Sequence, residues 1–427
     1  MNSIDSAYFL RFGYIYNRNL GIQYGKRLLK TCNKLAGADE KSLLQTPTAV
    51  SEEIERLLNQ SLTSSVSSEP APALFLSGGI DSPLIAAIAQ SLSTTPLKAF
   101  TFSSQDDTAD EAEQAARYAT ELGLEHHIVT LDPKRLPEII IELISHCDEP
   151  PGFYSIIPTY LVCKEAKKHA DVILAGDGAD ELFWGYASRM SPVIRLSPVF
   201  RYPKWLRKLR WWLLKRPNEW NLRYFDTVGE WYRSTHEHNF VGWLKQIFPA
   251  LPSLSGEHNL YDYAGTTQNE TAYWVRWNEF SGHMQANLTK THMAATAADI
   301  QMESPFLDQK MIDFAARLDW HTWLDIKNEV GKLPLRALLA KYVSQTPEGK
   351  LGFNVPMGAW MRGPLRSIFE EYVLSKDALM GLEINREVMR KHFEDHLSGT
   401  MDRSWGLWIF LSLAIWEELH KGRTFND

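Results

Sequence analysis

The chain has 427 residues, of which 44% are hydrophobic and 23% are charged, and its net charge is −7. This length predicts two structural units rather than one compact domain, and the apolar fraction excludes wholesale disorder. The acidic balance argues against nucleic acid as a partner.

Three features favour a cytoplasmic protein. The three cysteines share no metal-ligand spacing and form no even disulfide set, which is typical of a reducing compartment. The N-terminus lacks the basic start and apolar core of a signal peptide. The most apolar stretch, residues 405–416, is too short to cross a bilayer, so we predict a buried C-terminal helix there.

The predicted elements begin after a segment rich in Ser, Thr and Pro, residues 61–72, which we interpret as a linker. Beyond it, short β-type runs alternate with helical patterns, which predicts a parallel sheet covered by helices on both faces, an α/β fold. After about residue 190 the pattern is helical and contains no convincing strand. The predicted strands are 73–77, 97–102, 127–131 and 171–175, and the predicted helices are 83–92, 110–122, 136–146 and 159–169.

Two glycine-containing turns follow predicted strands at the same end of the sheet, where such folds bind ligands. Ser77-Gly78-Gly79 follows the first strand, and Gly176-Asp177-Gly178 follows the fourth. Unhindered backbone N–H groups before a helix suit phosphate oxygens, although no Gly-Lys-Ser/Thr follows as in a Walker loop. Asp81 is suited to a magnesium ion that bridges phosphates.

These motifs resemble the synthetase domain of asparagine synthetases, a branch of the ATP pyrophosphatases, over about residues 70 to 420. The resemblance implies the PP-loop (adenine-nucleotide α-hydrolase-like) architecture. It divides the chain into an N-terminal segment and linker (1–66) and a synthetase-like domain (67–427), with a nucleotide-binding part (67–190) and a mostly helical part (191–427). The matching stretches are "SGGIDS" (77–82), "DEP" (148–150), "AGDGADELFWGY" (175–186), "SPFLD" (304–308), "KLPLR" (332–336) and "KLGFNVPMGAW" (350–360).

The resemblance also implies an activity. Such enzymes use ATP and Mg²⁺ to adenylylate a carboxylate, release pyrophosphate, and let ammonia or an amine attack to give an amide and AMP. It implies that Asp81 and Asp180 share the Mg²⁺, and that Lys332 and Lys350 contact phosphates and developing charge. The implied nucleotide-binding positions are Leu76, Ser77, Gly78, Gly79, Asp81, Ser82, Phe102, Ala175, Gly176 and Asp177.

The residues expected near the carboxylate substrate, which we call the acceptor side, depart from the family pattern. Gln301 replaces a glutamate that lies beside the acyl-adenylate in the family, and glutamine cannot accept a proton as a general base. Glu303, in place of an arginine, and His292, in place of an aspartate, are the alternatives. Trp184 replaces a glycine of Phe-Gly-Gly-Tyr. The carboxylate substrate is therefore expected to be aspartate or another acid.

The nitrogen source is a second departure. Full-length family members begin with a glutaminase whose cysteine follows the initiator methionine, whereas Met1 is followed here by Asn2. We therefore expect no glutamine hydrolysis by this chain alone, and free ammonia, an amine, a separate glutaminase or a pathway partner as the source. The alternatives are an intramolecular lactam or macrolactam cyclase, and a nucleotide-binding partner subunit with little turnover. Asp177 stands where ring-closing relatives carry tyrosine, which favours the asparagine synthetase type.

One basic stretch, residues 201–216, lies outside these motifs. It interleaves aromatic residues with Lys and Arg and contains no acid. A helix of this kind suits an anionic membrane surface or an acidic partner, but a helical insert with a solvated cationic face is the interpretation that we favour.

Overall fold

The computed structural model of the chain describes residues 3–15, 46–105, 111–214, 222–254, 260–346 and 355–421. The strands are β1 (Ala73–Phe75), β2 (Lys98–Ser103), β3 (Glu125–Thr130), β4 (Val172–Leu174), β5 (Gln301–Glu303), β6 (Ala378–Leu379) and β7 (Leu382–Glu383). The α-helices of the first half are α1 (Ser3–Phe12), α2 (Pro47–Val66), α3 (Asp81–Leu92), α4 (Ala112–Leu122), α5 (Leu136–Ser145), α6 (Ile156–Ala166), α7 (Ala179–Leu182), α8 (Ala187–Leu196) and α9 (Lys204–Leu214). Those of the second half are α10 (Val228–Ser234), α11 (Val241–Ile247), α12 (Gln268–Asn278), α13 (Met284–Ala297), α14 (Gln309–Ala315), α15 (Leu333–Leu339), α16 (Met357–Arg362), α17 (Arg366–Phe369), α18 (Arg386–Leu397) and α19 (Ser404–Leu419).

Five strands form one parallel sheet in the order β3-β2-β1-β4-β5. β1 is central, because Leu74 is in register with Ala99 of β2 on one side and with Leu174 of β4 on the other. Parallel strands end at the same edge, so the loops after β1 and β4 lie side by side. This arrangement confirms the predicted α/β fold and the four predicted strands.

β5 corrects the prediction that the second half contains no strand. Its residues, Gln301 to Glu303, pair in parallel with Val172 to Leu174 of β4 and complete the sheet at that edge. The segment has only three residues, so it is too short to show the alternation or apolar run that marks a strand. A short antiparallel pair, β6 with β7, was missed for the same reason.

Helix α2 corrects the linker predicted over residues 61–72. It begins after Thr46, whose hydroxyl accepts a hydrogen bond from the Ala49 amide, and Pro47 suits its first turn. It continues to Val66 because Leu62 and Val66 are buried in the domain core. Within the predicted linker, only the residues after Val66 are non-helical. The predicted domain boundary between residues 66 and 67 stays a prediction.

The core lies on both faces of the sheet. Neighbouring residues of β2 alternate between two apolar clusters, with Ala99 in one and Phe100 in the other. Helices α2, α3 and α4 contribute to the first cluster, and α5, α6 and α19 to the second. α19 is almost wholly buried, as predicted for residues 405–416. No helix within the described ranges combines the length and apolarity that a membrane span needs.

Candidate active site

The loop after β1 is shaped by its own hydroxyl groups. The Ser77 amide donates to Ser82 Oγ at 2.9 Å, and the Gly79 amide donates to Ser77 Oγ at 3.2 Å. The Gly78 amide donates to the Glu111 carboxylate at 3.1 Å. The loop leads directly into α3, which starts at Asp81. These contacts hold the predicted phosphate loop in a defined turn against the N-terminus of a twelve-residue helix.

The loop after β4 packs against the first loop through a glycine. A Cβ atom on Gly176 would lie 2.7 Å from Asp81 Cβ, so only glycine lets the two loops approach this closely. Gly178 has φ +89° and faces Leu307, and it leads into α7 with Asp180 in its first turn. This packing brings Asp81 and Asp180 close together, the arrangement that the family resemblance implies.

Lys332 joins the two aspartates. Its Nζ lies 2.5 Å from Asp81 Oδ2 and 2.6 Å from Asp180 Oδ1, and its side chain is 7% exposed. Burial acts to lower the pKa of Lys332, but the carboxylates of Asp180 and Asp81 outweigh it, so the pKa is raised. The lysine takes a left-handed backbone conformation, φ +57°, immediately before α15. A triad of two aspartates and one lysine thus lies at the carboxyl edge of the sheet.

Gly185 makes room for this triad. A Cβ atom at that position would lie 1.9 Å from Asp180 Oδ1 and 2.2 Å from Lys332 Cε. The neighbouring Trp184 occupies a left-handed conformation, φ +51°, where the family pattern has glycine. Its indole is buried, donates to the Ala272 carbonyl at 2.9 Å and lies under the Arg276 guanidinium. Trp184 therefore packs behind the triad and not into the cavity.

A cavity of about 340 Å³ opens beside the triad, within the size range of small-molecule sites. Asp177 and Lys290 both line it and interact electrostatically. Burial raises the pKa of Asp177 to about 6, against the opposing pull of Lys290, and Glu181, Asp81 and Asp180 raise it further. Burial likewise lowers the pKa of Lys290, with Asp177 and Glu181 opposing. The pair places a carboxyl group and an amino group in the cavity lining, each with its pKa shifted toward the neutral form by burial.

One wall of the cavity carries a group of polar side chains. Glu181 accepts a hydrogen bond from the Tyr186 hydroxyl at 2.7 Å, and Asn287 lies within 3.5 Å of both groups. His283 approaches Asn287 at 3.1 Å through Nδ1. Met284, Leu288 and Met302 add apolar surface to the same cavity.

A buried ionic cluster supports this wall from behind. Glu279 is fully buried in a π-helical turn, Glu279–His283, that leads into α13. Its carboxylate lies 2.7 Å from Arg189, accepts from the Tyr232 hydroxyl and lies 3.0 Å from His236 Nε2. The same turn carries His283 into the cavity wall, so the cluster positions a lining residue.

The structure brings most of the predicted site residues together. Leu76 and Phe102, predicted near adenosine, are buried, and Phe75 of β1 lines the cavity. Lys350 lies outside the described residues. The predicted residues that line the cavity are Ser77, Gly79, Asp81, Ser82, Ala175, Gly176, Asp177, Asp180 and Lys332.

The acceptor positions predicted on β5 lie apart from the cavity. Gln301 is exposed and its amide donates to Glu303, which also accepts from Ser65 Oγ at 2.6 Å. Side chains alternate along a strand, and Met302 is the β5 residue that lines the cavity. His292 is exposed on α13. Sequence reasoning missed the polar cavity residues of α13 and of the turn before it, although His283, Asn287 and Lys290 repeat at helical spacing, a signal that could have found them.

The phosphate loop and the carboxylates of Asp81 and Asp180 are groups that fit ATP with Mg²⁺. No group of three or more His, Cys, Asp or Glu side chains within the described ranges could hold a metal ion by itself. Asp81 and Asp180, however, both reach one point, the Lys332 ammonium. Mg²⁺ is commonly held by one or two carboxylates together with substrate phosphates, which is the set that the phosphate loop would complete.

A family model described as asparagine synthase matches residues 53–418. The chain belongs to the asparagine synthase family. This match confirms the family resemblance of the motifs, and it extends from within α2 across all five strands of the main sheet.

Individual asparagine synthetases resemble the chain over much of its length. It is 26% identical over 359 residues to asparagine synthetase [glutamine-hydrolyzing] 1 of Bacillus subtilis, covering 81% of this chain and 56% of the relative. It is 28% identical over 384 residues to a putative asparagine synthetase [glutamine-hydrolyzing] of Mycobacterium tuberculosis, covering 86% and 57%. A putative asparagine synthetase [glutamine-hydrolyzing] 2 of Methanocaldococcus jannaschii is 32% identical over 157 residues, 36% of this chain and 30% of the relative. The chain spans about half the length of the first two relatives.

Proposed function

We propose that the protein is an ATP-dependent carbon–nitrogen ligase that adenylylates a carboxylate, releases pyrophosphate, and transfers ammonia or an amine to give an amide and AMP. The observation that carries the proposal is the meeting of Asp81, Asp180 and Lys332 beside the Ser77–Ser82 loop. Family membership supports it, because the matched relatives are named asparagine synthetases.

In this proposal the Ser77–Ser82 loop at the N-terminus of α3 and Lys332 bind the ATP phosphates, and the Lys332 ammonium stabilises the pyrophosphate as it leaves. Asp81 and Asp180 would hold Mg²⁺, which supplies further charge neutralisation on the phosphates when bound. The carboxylate substrate lies in the cavity beyond the loop, where Lys290 would orient it. Asp177 is the residue placed to take the proton from the attacking nitrogen, because Gln301 faces away and an amide cannot accept a proton.

The nucleotide products test the proposal. Purified protein is incubated with ATP and Mg²⁺, ammonium and one carboxylate at a time, beginning with aspartate, and the nucleotides are separated by chromatography. We expect AMP and pyrophosphate in equal amounts, dependent on the carboxylate. ADP formation would contradict the proposal. Tight ATP binding without turnover for any carboxylate would instead favour the nucleotide-binding subunit.

A second candidate is amide closure within one molecule. Met284, Leu288 and Met302 give the acceptor side an apolar wall that aspartate does not require. A substrate that carries both its carboxylate and its amine would use that surface. Its product would lose one water relative to the substrate, without added ammonium, and mass spectrometry would show this.

Gly185→Ala tests whether the triad geometry is needed. The added Cβ overlaps Asp180 Oδ1 and Lys332 Cε, so the ion pairs must separate. We expect AMP formation to fall by at least about tenfold, because displacements near 1 Å at a reacting centre commonly cost that much or more. Gly358→Ala in α16 is the matched control, since its nearest neighbour lies 3.4 Å away at the end of an arginine side chain. Equal activity of the two variants would contradict the proposed role.

A further inference from the structure

Exposed apolar side chains concentrate in one stretch of the surface. Among the large hydrophobic residues exposed in the described part of the chain, seven lie between residues 202 and 224. Trp205 is 67% exposed and Trp212 64%, although tryptophan is usually buried for most of its area. Most of these exposed residues lie on α9. The seven are Tyr202, Trp205, Leu209, Trp212, Leu213, Leu214 and Tyr224.

The exposed residues form a stripe along α9. Trp205, Leu209, Trp212 and Leu213 have the i, i+4, i+7, i+8 spacing of one helical face, which we call the α9 stripe. The opposite face is fixed to the protein by Arg207, which is 3% exposed. The Arg207 guanidinium donates to the carbonyls of Leu222 at 2.6 Å and Phe225 at 2.9 Å and lies over the Phe200 ring. The helix is therefore held with its apolar face outward.

Cationic side chains lie on both sides of the stripe, and the nearby Lys204 pairs with Asp226 at 2.9 Å. At 3.6 residues per turn, Lys208 and Arg210 border it on its two sides. Residues 201–214 contain five Lys or Arg and no acid, in a chain whose net charge is −7. Lys204, Lys208 and Arg223 also line a surface cleft with Trp211, Trp212 and Tyr224. The exposed stripe contains tryptophan and has cations on both sides. It is therefore complementary to a surface that has an apolar interior and anionic groups where it meets water.

We propose that α9 lies on an anionic phospholipid surface, with the α9 stripe at the headgroup boundary and the flanking cations toward lipid phosphates. Tryptophan favours this boundary because its ring is apolar with one polar N–H. Basic residues near such a surface add electrostatic attraction, and one helix face then lies in the interface without a membrane span. A second copy of the chain fits poorly, because a two-fold contact would bring two cationic borders together.

Vesicle sedimentation tests this proposal. The protein is mixed with vesicles of phosphatidylcholine containing one third phosphatidylglycerol, and separately with pure phosphatidylcholine vesicles. We expect it to sediment with the anionic vesicles at low salt and to be released at high salt. The Trp205→Ser/Trp212→Ser variant should partition at least about tenfold more weakly. Phe240→Ser is the matched control, since Phe240 is 57% exposed outside the stripe, and it should bind like the wild type.

Three results would overturn the proposal. The first is wild-type protein that stays in solution with anionic vesicles at low salt. The second is a Trp205→Ser/Trp212→Ser variant that binds as tightly as the wild type, and the third is a wild-type dimer in analytical ultracentrifugation that this variant abolishes. An unchanged thermal midpoint and circular dichroism spectrum would show that the variant is folded. If they change, Lys208→Glu replaces it, and the same weakening is expected on anionic vesicles.

Discussion

Replacing Lys332 by methionine is expected to reduce AMP formation by at least about a hundredfold, the loss that follows removal of one preorganised charge-stabilising donor. The side chain keeps its length, but Asp81 and Asp180 lose the cation that lies within 2.6 Å of both. The two carboxylates then repel each other, and the leaving pyrophosphate loses a fixed positive charge. Steady-state assays of pyrophosphate release at saturating ATP would measure the change in kcat.

Lys341→Met provides the control for this experiment. Lys341 also pairs with a carboxylate, Glu55, at 3.1 Å, but its side chain is 48% exposed. Exposed pairs contribute little, so AMP formation should stay at the wild-type level. A similar loss of kcat in both variants would mean that Lys332 acts through overall stability and not at the site. Thermal unfolding of both proteins separates these two explanations.

Glu279→Gln is expected to lower the free energy of unfolding by about 3–5 kcal/mol, the range for removing one partner of a buried ion pair. Arg189 would lose the carboxylate at 2.7 Å, and it lies in the interior beside Tyr232 and His236. Glutamine keeps the shape of the side chain, so the loss reports the charge and not a cavity. Urea unfolding followed by circular dichroism measures it.

The pH dependence of stability gives an independent check on Glu279. Burial by itself would raise the pKa of its carboxyl, but Arg189, His236 and His283 hold that pKa well below its ordinary value of 4.5. A depressed pKa contributes stability above the unfolded value, and the contribution is lost as the pH falls below it. The wild type should therefore lose more stability below about pH 4.5 than Glu279→Gln does. Glu53→Gln, which breaks an exposed pair with Arg56, should change unfolding by less than about 1 kcal/mol.

The parts of the site that the sequence predicts are those fixed by local turns at strand ends. Asp81 and Asp180 each follow a recognisable strand, and parallel strands bring their ends to one edge. The contact between Lys332 and Asp81, however, joins residues 251 positions apart, and no local pattern encodes it. A motif indicated that Lys332 faces phosphate, but the two aspartates that hold it in place became visible only in the fold.

The acceptor side shows why the remaining part was not predictable. Gln301 was assigned by matching a motif, but which of Gln301 and Met302 faces the cavity depends on the register of β5 against β4. β5 itself is too short to give a pattern. Lys290 lies on α13, and His283 lies in the turn before it. Which side of this segment faces the cavity is decided by its packing against the rest of the fold. Tertiary contacts, and not local sequence preference, decide which of these residues line the cavity.

The placement of β5 has a consequence for how the chain holds together. More than a hundred residues of mostly helical chain separate β5 from β4 in the sequence. β5 nevertheless pairs along the outer edge of β4. A fragment that stopped near residue 190 would leave the β4 backbone open to pairing with other chains. The chain before residue 190 and the chain after it are therefore interlocked by topology, because β5 from the later part completes the sheet of the earlier part.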